Sequence, residues 1–399
     1  MADPRIRVAL IFGGRSGEHD VSCYSAAGML SHLDPAKYHV VPIWITPSGR
    51  WVVGSDRPRS GKVDVPQLLA MTPYEPGGAT EPGALAATDG RESLHSILDA
   101  LEVLRTVDVA LPALHGLYGE DGTLQSLLAS AGVPYVGNGV LASATGMDKE
   151  QTKKLLVAAG LEVADSVVLR GGQRTLTEAE RARLGLPVFV KPAHGGSSLG
   201  VSRVDDWAQL PTAVTLAREA EDKILVEAAV IGREIDLGVL EHPDGRVLAG
   251  PALEINVTDS HEFFDYDAKY SGEGSSFDIP AKLDPQIADE LADQAVRAFH
   301  ALGCVGLLRV DFFLRDGIHP VVNEVNTLPG LTPHSQFPQI WEVAGVSYAA
   351  LLDILIETAI ARRGRLDRRT APAQSRREDR SLARTRDRLP GSVTAGPVL

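Results

Sequence analysis

Four polar side chains near the C-terminal end of the chain alternate with apolar residues along two neighbouring segments, LLRVDFFL and HPVVNEVN. They are Arg309, Asp311, Glu324 and Asn326, and in extended strands this alternation places all four on one face. Carboxylate and amide oxygens are the hard ligands that Mg²⁺ prefers. The spacing therefore predicts a divalent metal site beside a guanidinium. The alternative is a solvated sheet face with a cross-strand salt bridge.

The same two segments predict a β-hairpin that turns at residues 316–317, where Asp and Gly follow each other. A two-residue turn at that point places Arg309 opposite Glu324 and Asp311 opposite Val322. The other face of the hairpin then carries only core-like residues, which are Leu308, Val310, Phe312 and Val325.

A second constellation lies around Lys191, which ends an apolar segment and is followed by PAHGGSSLG. Small residues allow backbone N–H groups to approach an anion closely. The segment is not a Walker A loop, because no Gly-Lys-Ser/Thr closes it. Taken alone, the segment is as consistent with a plain turn as with an anion-binding loop. Together with a magnesium face it predicts ATP binding, since ATP requires both.

Two polar residues follow apolar strands in the N-terminal part of the chain. Glu18 lies after the glycine turn GGRSG, where a carboxylate could face an amine at the carboxyl end of a sheet. The spacing G-x-G-x-x-G is absent, so an ordinary turn is the alternative. His115 begins the segment HGLYGEDG, which we expect at the same edge of the sheet, with a structural role as the alternative.

A long polar and aromatic segment at about residues 256–278 contains Lys269 and Tyr270. Loops of this length in compact domains are often lids over active sites. Lys269 could reach a phosphate, and Tyr270 could hydrogen-bond a substrate. Ordinary packing under a loop is the alternative for the tyrosine.

The elements that must position these residues predict an α/β and α+β fold. In the first third, apolar strands such as RVALIF alternate with helical segments, which favours a parallel sheet. The segments that follow contain the glycine-serine loop and then the hairpin. We expect four parts: residues 1–137 with a surface insertion at about 55–90, residues 138–230, residues 231–362, and a tail at 363–399.

Composition limits the class of protein. The chain has 399 residues, 44% hydrophobic and 23% charged, with a net charge of −13 that argues against broad nucleic-acid binding. No apolar run approaches the roughly 20 residues that span a bilayer, so no membrane insertion is expected. Only two cysteines occur, which fits a reducing cytoplasm. From residue 362 onward, eleven arginines stand against four acidic residues, and this tail is predicted to be disordered.

Taken together, these segments resemble the D-alanine–D-alanine ligases of the ATP-grasp superfamily. The resemblance covers nearly the whole chain up to about residue 361, and only the insertion and the tail lie outside it. It implies an N-terminal Rossmann-like parallel sheet followed by a two-lobed ATP-grasp domain. The matching motifs are GGRSGEHDVS, LHGLYGEDG, GMDKEQTK, VKPAHGGSSLG, ILVEAAVIGREI, YDAKY, RVDFF and NEVNTLPGLTPHS.

The resemblance assigns ATP-binding and metal-binding roles to residues at matching positions. The phosphates would be held by Lys149, Lys191 and Lys269. The adenine slot would be lined by Glu227 and by the main chain of Ala228 and Val230, and the ribose would meet Glu234. Two Mg²⁺ or Mn²⁺ ions would be held by Asp311, Glu324 and Asn326, of which Asn326 also contacts ATP. Ala228 stands where some relatives have a lysine. A monovalent cation such as K⁺ is left open.

The resemblance also assigns residues to the two amino acid substrates. The first substrate would be bound by Glu18 and His115, and Glu18 would be linked through Ser197 to Tyr270. The oxyanion of the reaction would be stabilised by Arg309 and the N–H of Gly330. The carboxylate of the second substrate would be received by Ser335 and Gln336, where Gln336 replaces an apolar residue of some relatives.

The implied activity is the ATP-dependent ligation of two D-alanines through a D-alanyl phosphate, which supplies peptidoglycan precursors in the cytoplasm. A homodimer is also implied. Two alternatives remain: a D-Ala–D-Ser or D-Ala–D-lactate ligase, and a non-catalytic nucleotide-binding regulator. The Lys269-Tyr270 pair favours an amine acceptor over a hydroxy acid, and the intact carboxylate set argues against a regulator.

Overall fold

The computed structural model describes residues 3–54, 64–70, 90–195, 200–257 and 275–370. Within these ranges the secondary structure forms three sheets. Each sheet lies inside one of the three predicted parts of the chain, while the exact division between those parts stays a prediction.

The N-terminal sheet has the strand order β3-β2-β1-β4 and is parallel except for β3. From Val8 onward strand β1 is apolar and buried, as expected for a central parallel strand with helices on both sides. The parallel sheet predicted from sequence is confirmed. Its elements are β1 (Ile6–Gly13), α1 (His19–His32), β2 (Tyr38–Ile45), β3 (Trp51–Val53), α2 (Val65–Ala70), α3 (Gly90–Leu104), β4 (Val109–Pro112) and α4 (Thr123–Ser130).

The second sheet is antiparallel and has the order β5-β8-β6-β7. One face packs against α8, whose first turn contains a proline at a position that needs no N–H. The elements of this part are α5 (Val140–Met147), α6 (Lys149–Ala158), β5 (Ser166–Leu169), α7 (Glu178–Leu184), β6 (Val188–Pro192), β7 (Ser202–Val204), a 3₁₀ turn (Trp207–Gln209), α8 (Leu210–Ala220) and β8 (Ile224–Ala228).

The third sheet is antiparallel with the order β12-β11-β9-β13-β14, and β10 pairs with β9. One hydrophobic core is shared between the N-terminal sheet and the last two helices of this part, so the first and third sheets are packed together. The elements are β9 (Gly232–Glu241), β10 (Val247–Ala249), β11 (Leu253–Val257), β12 (Ser275–Asp278), α9 (Pro285–Ala301), β13 (Leu307–Arg315), β14 (His319–Asn326), α10 (Gln336–Val343) and α11 (Tyr348–Thr370).

The hairpin β13–β14 forms as predicted, but its predicted register is wrong. Arg309 lies opposite Asn326, and Asp311 lies opposite Glu324. The connection is a three-residue loop, residues 316–318, with positive φ of 53° and 75° at its first two positions. A bulge between Asp311 and Phe312 then shifts the pairing of the two strands by one more residue. Because the two changes together shift the pairing by an even number of residues, the four polar side chains stay on the predicted face.

Helix α11 runs past the predicted start of the disordered tail at residue 363 and ends at Thr370. The first residues of the predicted tail, 363–370, therefore lie in a helix. The rest of the tail lies outside the described residues.

No single helix within the described ranges is long and apolar enough to cross a membrane. Helix α10 and the first part of α11 reach that length and hydropathy only as a pair, bent by 104°. Their apolar residues, such as Phe337 and Leu355, are buried in the core shared with the N-terminal sheet.

Asn138 connects the N-terminal part of the chain to both strands of the hairpin. Its Nδ2 donates to the carbonyl oxygens of Leu307 at 2.7 Å and Thr327 at 2.6 Å. Its Oδ1 accepts from the N–H of Val305 at 2.8 Å. Asn138 is 2% exposed, so its side chain satisfies three main-chain groups from within the protein interior. One amide therefore fixes both ends of the polar hairpin face.

We expect Asn138→Ala to destabilise the protein by about 3 kcal/mol, because each buried main-chain group left unpaired costs about 1–3 kcal/mol. Urea denaturation followed by circular dichroism measures this change. Gln286→Ala, at an exposed position of α9, is the matched control and should shift the midpoint little. If the urea midpoint of Asn138→Ala equals that of the control, the proposed stabilising role of the Asn138 amide is contradicted.

A chain that ends at Thr370 should keep the activity and thermal midpoint of the full chain. The buried residues of α11 that join the core all lie at or before Ala359, so this truncation removes none of them. Activity assays and thermal denaturation of the two chains provide the comparison. Reduced activity in the truncated chain would mean that residues 371–399 contribute to function.

Candidate active site

The polar face of the hairpin carries a buried ion pair. Nε and Nη2 of Arg309 each donate to a different oxygen of Asp311, both at 2.7 Å. Nδ2 of Asn326 donates to Asp311 Oδ2 at 3.0 Å. Glu324 lies opposite Asp311 across the strands and is half-buried. The structure thus brings together the four side chains that the sequence placed on one face.

The sequence analysis missed a third carboxylate, Asp236 on β9. It is 2% exposed, pairs with Asp311 in the register of β9 and β13, and has Oδ2 at 3.4 Å from Nε of Arg309. Burial lowers the pKa of Arg309, but Asp311, Asp236 and Glu324 outweigh burial and raise this pKa above its ordinary value. A carboxylate between Ile235 and the apolar run LGVL of the same strand was the available signal.

The donor set fits a divalent metal ion. Three carboxylates stand against one guanidinium, and this excess negative charge is what a hard cation would neutralise. Within the ranges described above, no three His, Cys, Asp or Glu side chains converge on one metal-sized point. The fit therefore depends on the combination of Asp311, Glu324 and the amide of Asn326, and not on a carboxylate cage.

A second buried cluster lies on the second sheet. Lys191, at the end of β6, has Nζ at 2.7 Å from Oε1 of Glu227 on β8. Lys153 of α6, which the sequence analysis did not single out, has Nζ at 2.6 Å from the other oxygen, Oε2. Burial raises the pKa of Glu227, but the two ammonium groups outweigh burial and lower it below the ordinary value. The position of Lys153 four residues after Lys149, on the same side of α6, was the signal in the sequence.

Lys149 lies in the first turn of α6, next to the start of the glycine-serine loop. The Nζ of Lys149 donates to the carbonyl oxygen of Gly195 at 2.5 Å. The main-chain N–H of Lys149 donates to the carbonyl oxygen of Ala193 at 3.0 Å. Lys149 and Lys191 therefore flank the same loop, as expected of residues that bind one polyphosphate.

The start of that loop is held in place by a network of charged side chains. Asp148 caps α6, pairs with Lys223 at 2.7 Å and lies 3.3 Å from Nε2 of His194. Nδ1 of His194 also contacts Glu221, whose Oε2 accepts from the N–H of His194 at 2.8 Å. Burial raises the pKa of Asp148, but hydrogen bonds from Lys223 and the main chain lower it overall.

The predicted adenine and ribose residues follow Glu227 along the chain. Ala228 ends β8, and its N–H already donates to the carbonyl oxygen of Asp165 at 2.9 Å, so a ligand could meet only its carbonyl group. Val230 and Glu234 are half-buried, and Glu234 lies near the start of β9. The three positions thus run from the edge of the second sheet into the third.

Glu18 and His115 meet at the carboxyl end of the N-terminal sheet. Ser16 Oγ donates to the carbonyl oxygen of His115 at 2.6 Å. Gly116 has a φ of 73°, a backbone conformation that favours glycine, and a Cβ at that position would come within 2.9 Å of Oε2 of Glu18. The two predicted residues are therefore neighbours, although they are far apart in sequence.

A second carboxylate in this region, Glu120, was missed by the sequence analysis. Its Oε1 is 3.5 Å from Nδ1 of His115, and Nε2 of His115 contacts Ser25 Oγ at 3.2 Å. Burial raises the pKa of Glu120, and the nearby Glu18 raises it further, although His115 opposes both. Glu18 and Glu120 thus place two carboxyl groups at this edge of the sheet, where a substrate ammonium group could be bound.

Gly330, Ser335 and Gln336 lie together after the hairpin. A Cβ on Gly330 would come within 2.9 Å of Ser335 Oγ, and Ser335 Oγ accepts from the N–H of Thr332 at 3.1 Å. Gln336 is 9% exposed, and its Nε2 has no hydrogen-bond partner among the described residues. A buried amide donor of this kind is available to an anionic ligand.

Three of the predicted site residues lie outside the described residues, namely Ser197, Lys269 and Tyr270. The same holds for most of the predicted lid at about 256–278.

Comparisons with known proteins identify the family of the chain. Sequence models described as D-ala D-ala ligase N-terminus and D-ala D-ala ligase C-terminus match residues 7–138 and 155–357. The chain has the ATP-grasp architecture of its structural neighbours. It belongs to the D-alanine–D-alanine ligase family.

Individual relatives support this assignment along most of the chain. A D-alanine–D-alanine ligase of Nocardia farcinica is 55% identical over 365 residues, which is 90% of this chain and 98% of the relative. The D-alanine–D-alanine ligase of Bacillus anthracis complexed with ATP is 30% identical, with a TM-score of 0.68 over 90% of this chain and 99% of that one. The VanG D-Ala:D-Ser ligase of Enterococcus faecalis is 31% identical, with a TM-score of 0.71 over 89% and 99%.

Glu324→Gln should reduce kcat by a factor on the order of 100 or more, because it removes one negative charge from the proposed metal ligands while keeping the side-chain volume. Binding of Mn²⁺ in the presence of ADP, followed by electron paramagnetic resonance, should weaken in parallel. The exposed Glu178→Gln on α7 serves as the control. Turnover and Mn²⁺ binding of Glu324→Gln at the level of this control would exclude the metal-binding role.

Proposed function

We propose that the chain joins two D-alanine molecules in an ATP-dependent reaction, by way of a D-alanyl phosphate, and releases ADP and phosphate. The observation that carries this proposal is the buried cluster of Arg309, Asp311 and Asn326 beside Glu324, in a chain of this family. Phosphorylation of a carboxylate brings several anions together, and catalysis consists mainly in positioning them and offsetting their repulsion.

The ATP-binding part of the proposed site lies between the second and third sheets. Lys149, Lys191 and Lys269 bind the phosphates. The adenine meets Glu227 and the main chain of Ala228 and Val230, and the ribose meets Glu234. Asp311, Glu324 and Asn326 would hold two Mg²⁺ or Mn²⁺ ions, which would supply positive charge to offset the negative charge of the phosphates.

The first D-alanine lies at the edge of the N-terminal sheet. Glu18 accepts from its ammonium group, and His115 supports this contact from the neighbouring loop. Ser197 and Tyr270 complete a hydrogen-bonded set that orients this substrate. A lid that contains Tyr270 excludes water, which would otherwise hydrolyse the acyl phosphate.

The second D-alanine supplies the amine that attacks the acyl phosphate. Ser335 and Gln336 receive its carboxylate, which fits the unpaired and buried Nε2 of Gln336. Arg309 and the N–H of Gly330 donate to the oxyanion that develops in this step, and a donor of this kind typically contributes about 3 kcal/mol. The peptide bond forms as phosphate leaves.

A D-Ala–D-Ser ligase is the second candidate, because the VanG D-Ala:D-Ser ligase is among the structural neighbours. The residues that receive the second substrate decide between these activities. Lys269-Tyr270 favours an amine acceptor and argues against D-lactate.

The chain is further proposed to act as a homodimer in the cytoplasm, where ATP is available, and to supply dipeptide for peptidoglycan. The division into residues 1–137, 138–230 and 231–362 belongs to the same proposal.

The purified chain, mixed with D-alanine, ATP and Mg²⁺, should release phosphate and form D-alanyl-D-alanine in equal amounts. L-Alanine in place of D-alanine is the control and should give neither product. A folded protein that binds ATP but forms no dipeptide would instead be a nucleotide-binding regulator.

In a competition assay with D-alanine, D-serine and D-lactate as second substrates, D-alanine should give the largest share of product. Mass spectrometry of the mixed products measures the shares. A larger share of D-alanyl-D-serine would select the second candidate function.

A further inference from the structure

Glu227 is held by two lysines from different elements. Lys191 reaches one carboxylate oxygen from β6 at 2.7 Å, and Lys153 reaches the other from α6 at 2.6 Å. The side chains of all three residues are nearly buried, with 6% to 11% of each exposed. The carboxylate therefore has a full set of charged partners before any ligand binds.

Among these three side chains, two ammonium groups face one carboxylate, so the trio carries one net positive charge, which the charge of Glu324 outside the trio opposes. Burial and the neighbouring Lys191 lower the pKa of Lys153, and Glu227 and Glu324 oppose this by attraction. Buried charge is costly unless it is paired. This cluster is therefore poised to take up an anion, and the phosphates of a nucleotide are the anion that the proposed function brings to Lys191.

Lys191 has two competing partners, the carboxylate of Glu227 and the phosphate of the nucleotide. It pairs with Glu227 in the structure, yet the proposed function requires its ammonium group at a phosphate. If Lys191 were the sole partner of Glu227, moving toward the phosphate would leave a buried carboxylate unpaired, which is strongly unfavourable. Lys153 removes this penalty, because it keeps Glu227 paired when Lys191 turns to the phosphate.

We propose that Lys153 is a positioning residue that neutralises Glu227 and so frees Lys191 to bind the nucleotide's phosphate. This inference rests on the proposed use of ATP. Lys153 itself contacts Glu227 and acts through it.

The neighbouring Lys154 provides a matched control. It is 60% exposed and pairs with Glu150 at 2.8 Å on the outer side of α6. Lys153→Met and Lys154→Met thus remove the same charge from adjacent positions of one helix, and only the first removes it from Glu227.

The experiment measures the binding of ADP and of adenosine by isothermal titration calorimetry, without D-alanine. The affinity for ADP divided by the affinity for adenosine reports the phosphate contacts, because adenosine lacks phosphates. We expect Lys153→Met to reduce this ratio about 10- to 100-fold and to leave adenosine binding near the wild-type level. Lys154→Met and the charge-conserving Lys153→Arg should keep the wild-type ratio.

A double variant separates positioning from a purely structural role. In Lys153→Met/Glu227→Gln the carboxylate charge is gone, so Lys191 is free again and the ratio should recover relative to Lys153→Met. A structural role predicts no recovery, because the double variant loses more of the packing. An equal loss of ADP and adenosine affinity in Lys153→Met would also overturn the proposal.

The outcomes distinguish this inference from the proposed function. Wild-type protein that binds neither ADP nor adenosine would contradict the proposed function itself. Wild-type protein that binds ADP, together with an unchanged ratio in Lys153→Met, would overturn only the role of Lys153. If Lys153→Met does not fold by circular dichroism, Lys153→Gln keeps a polar side chain at this position and carries the same expected ratio.

Discussion

The site depends on charge that the folded chain holds in place without neutralising it. On β13, Arg309 pairs with Asp311 at 2.7 Å, but Asp236 and Glu324 leave this region with excess negative charge. Around Glu227 the reverse holds, since two lysines share one carboxylate. Neither region has equal numbers of positive and negative charges. Together they complement a nucleotide and its metal ions, because the phosphates are negative and the metal ions are positive.

Unbalanced charges remain in position only if the elements beneath them are rigid. The hairpin forms one side of the third sheet, where β13 pairs with β9 along its whole length, and the amide of Asn138 holds the two ends of the hairpin. Lys149 begins α6 and Lys191 lies near the end of β6, and the Asp148–Lys223 and Asp148–His194 pairs hold the start of the loop that follows β6. Fold and site are thus linked by a few buried polar contacts.

The hairpin illustrates how far the sequence alone can predict the site. Alternation of polar and apolar residues placed Arg309, Asp311, Glu324 and Asn326 on one face, and the structure agrees. The predicted partners across the strands were wrong, because a three-residue loop and a bulge each changed the offset by one. Alternation depends only on neighbours along the chain, whereas register depends on loop and bulge geometry, which residue types specify weakly.

The sequence by itself determined the order of elements, the buried faces and the residue types available for catalysis, because these follow from local periodicity and side-chain chemistry. Only the tertiary structure decided which charges meet. Asp236 joins Arg309, Lys153 joins Glu227, and Glu120 joins His115 across elements distant in sequence. Such contacts depend on how sheets and helices pack against each other, and no pattern along a single segment contains that information.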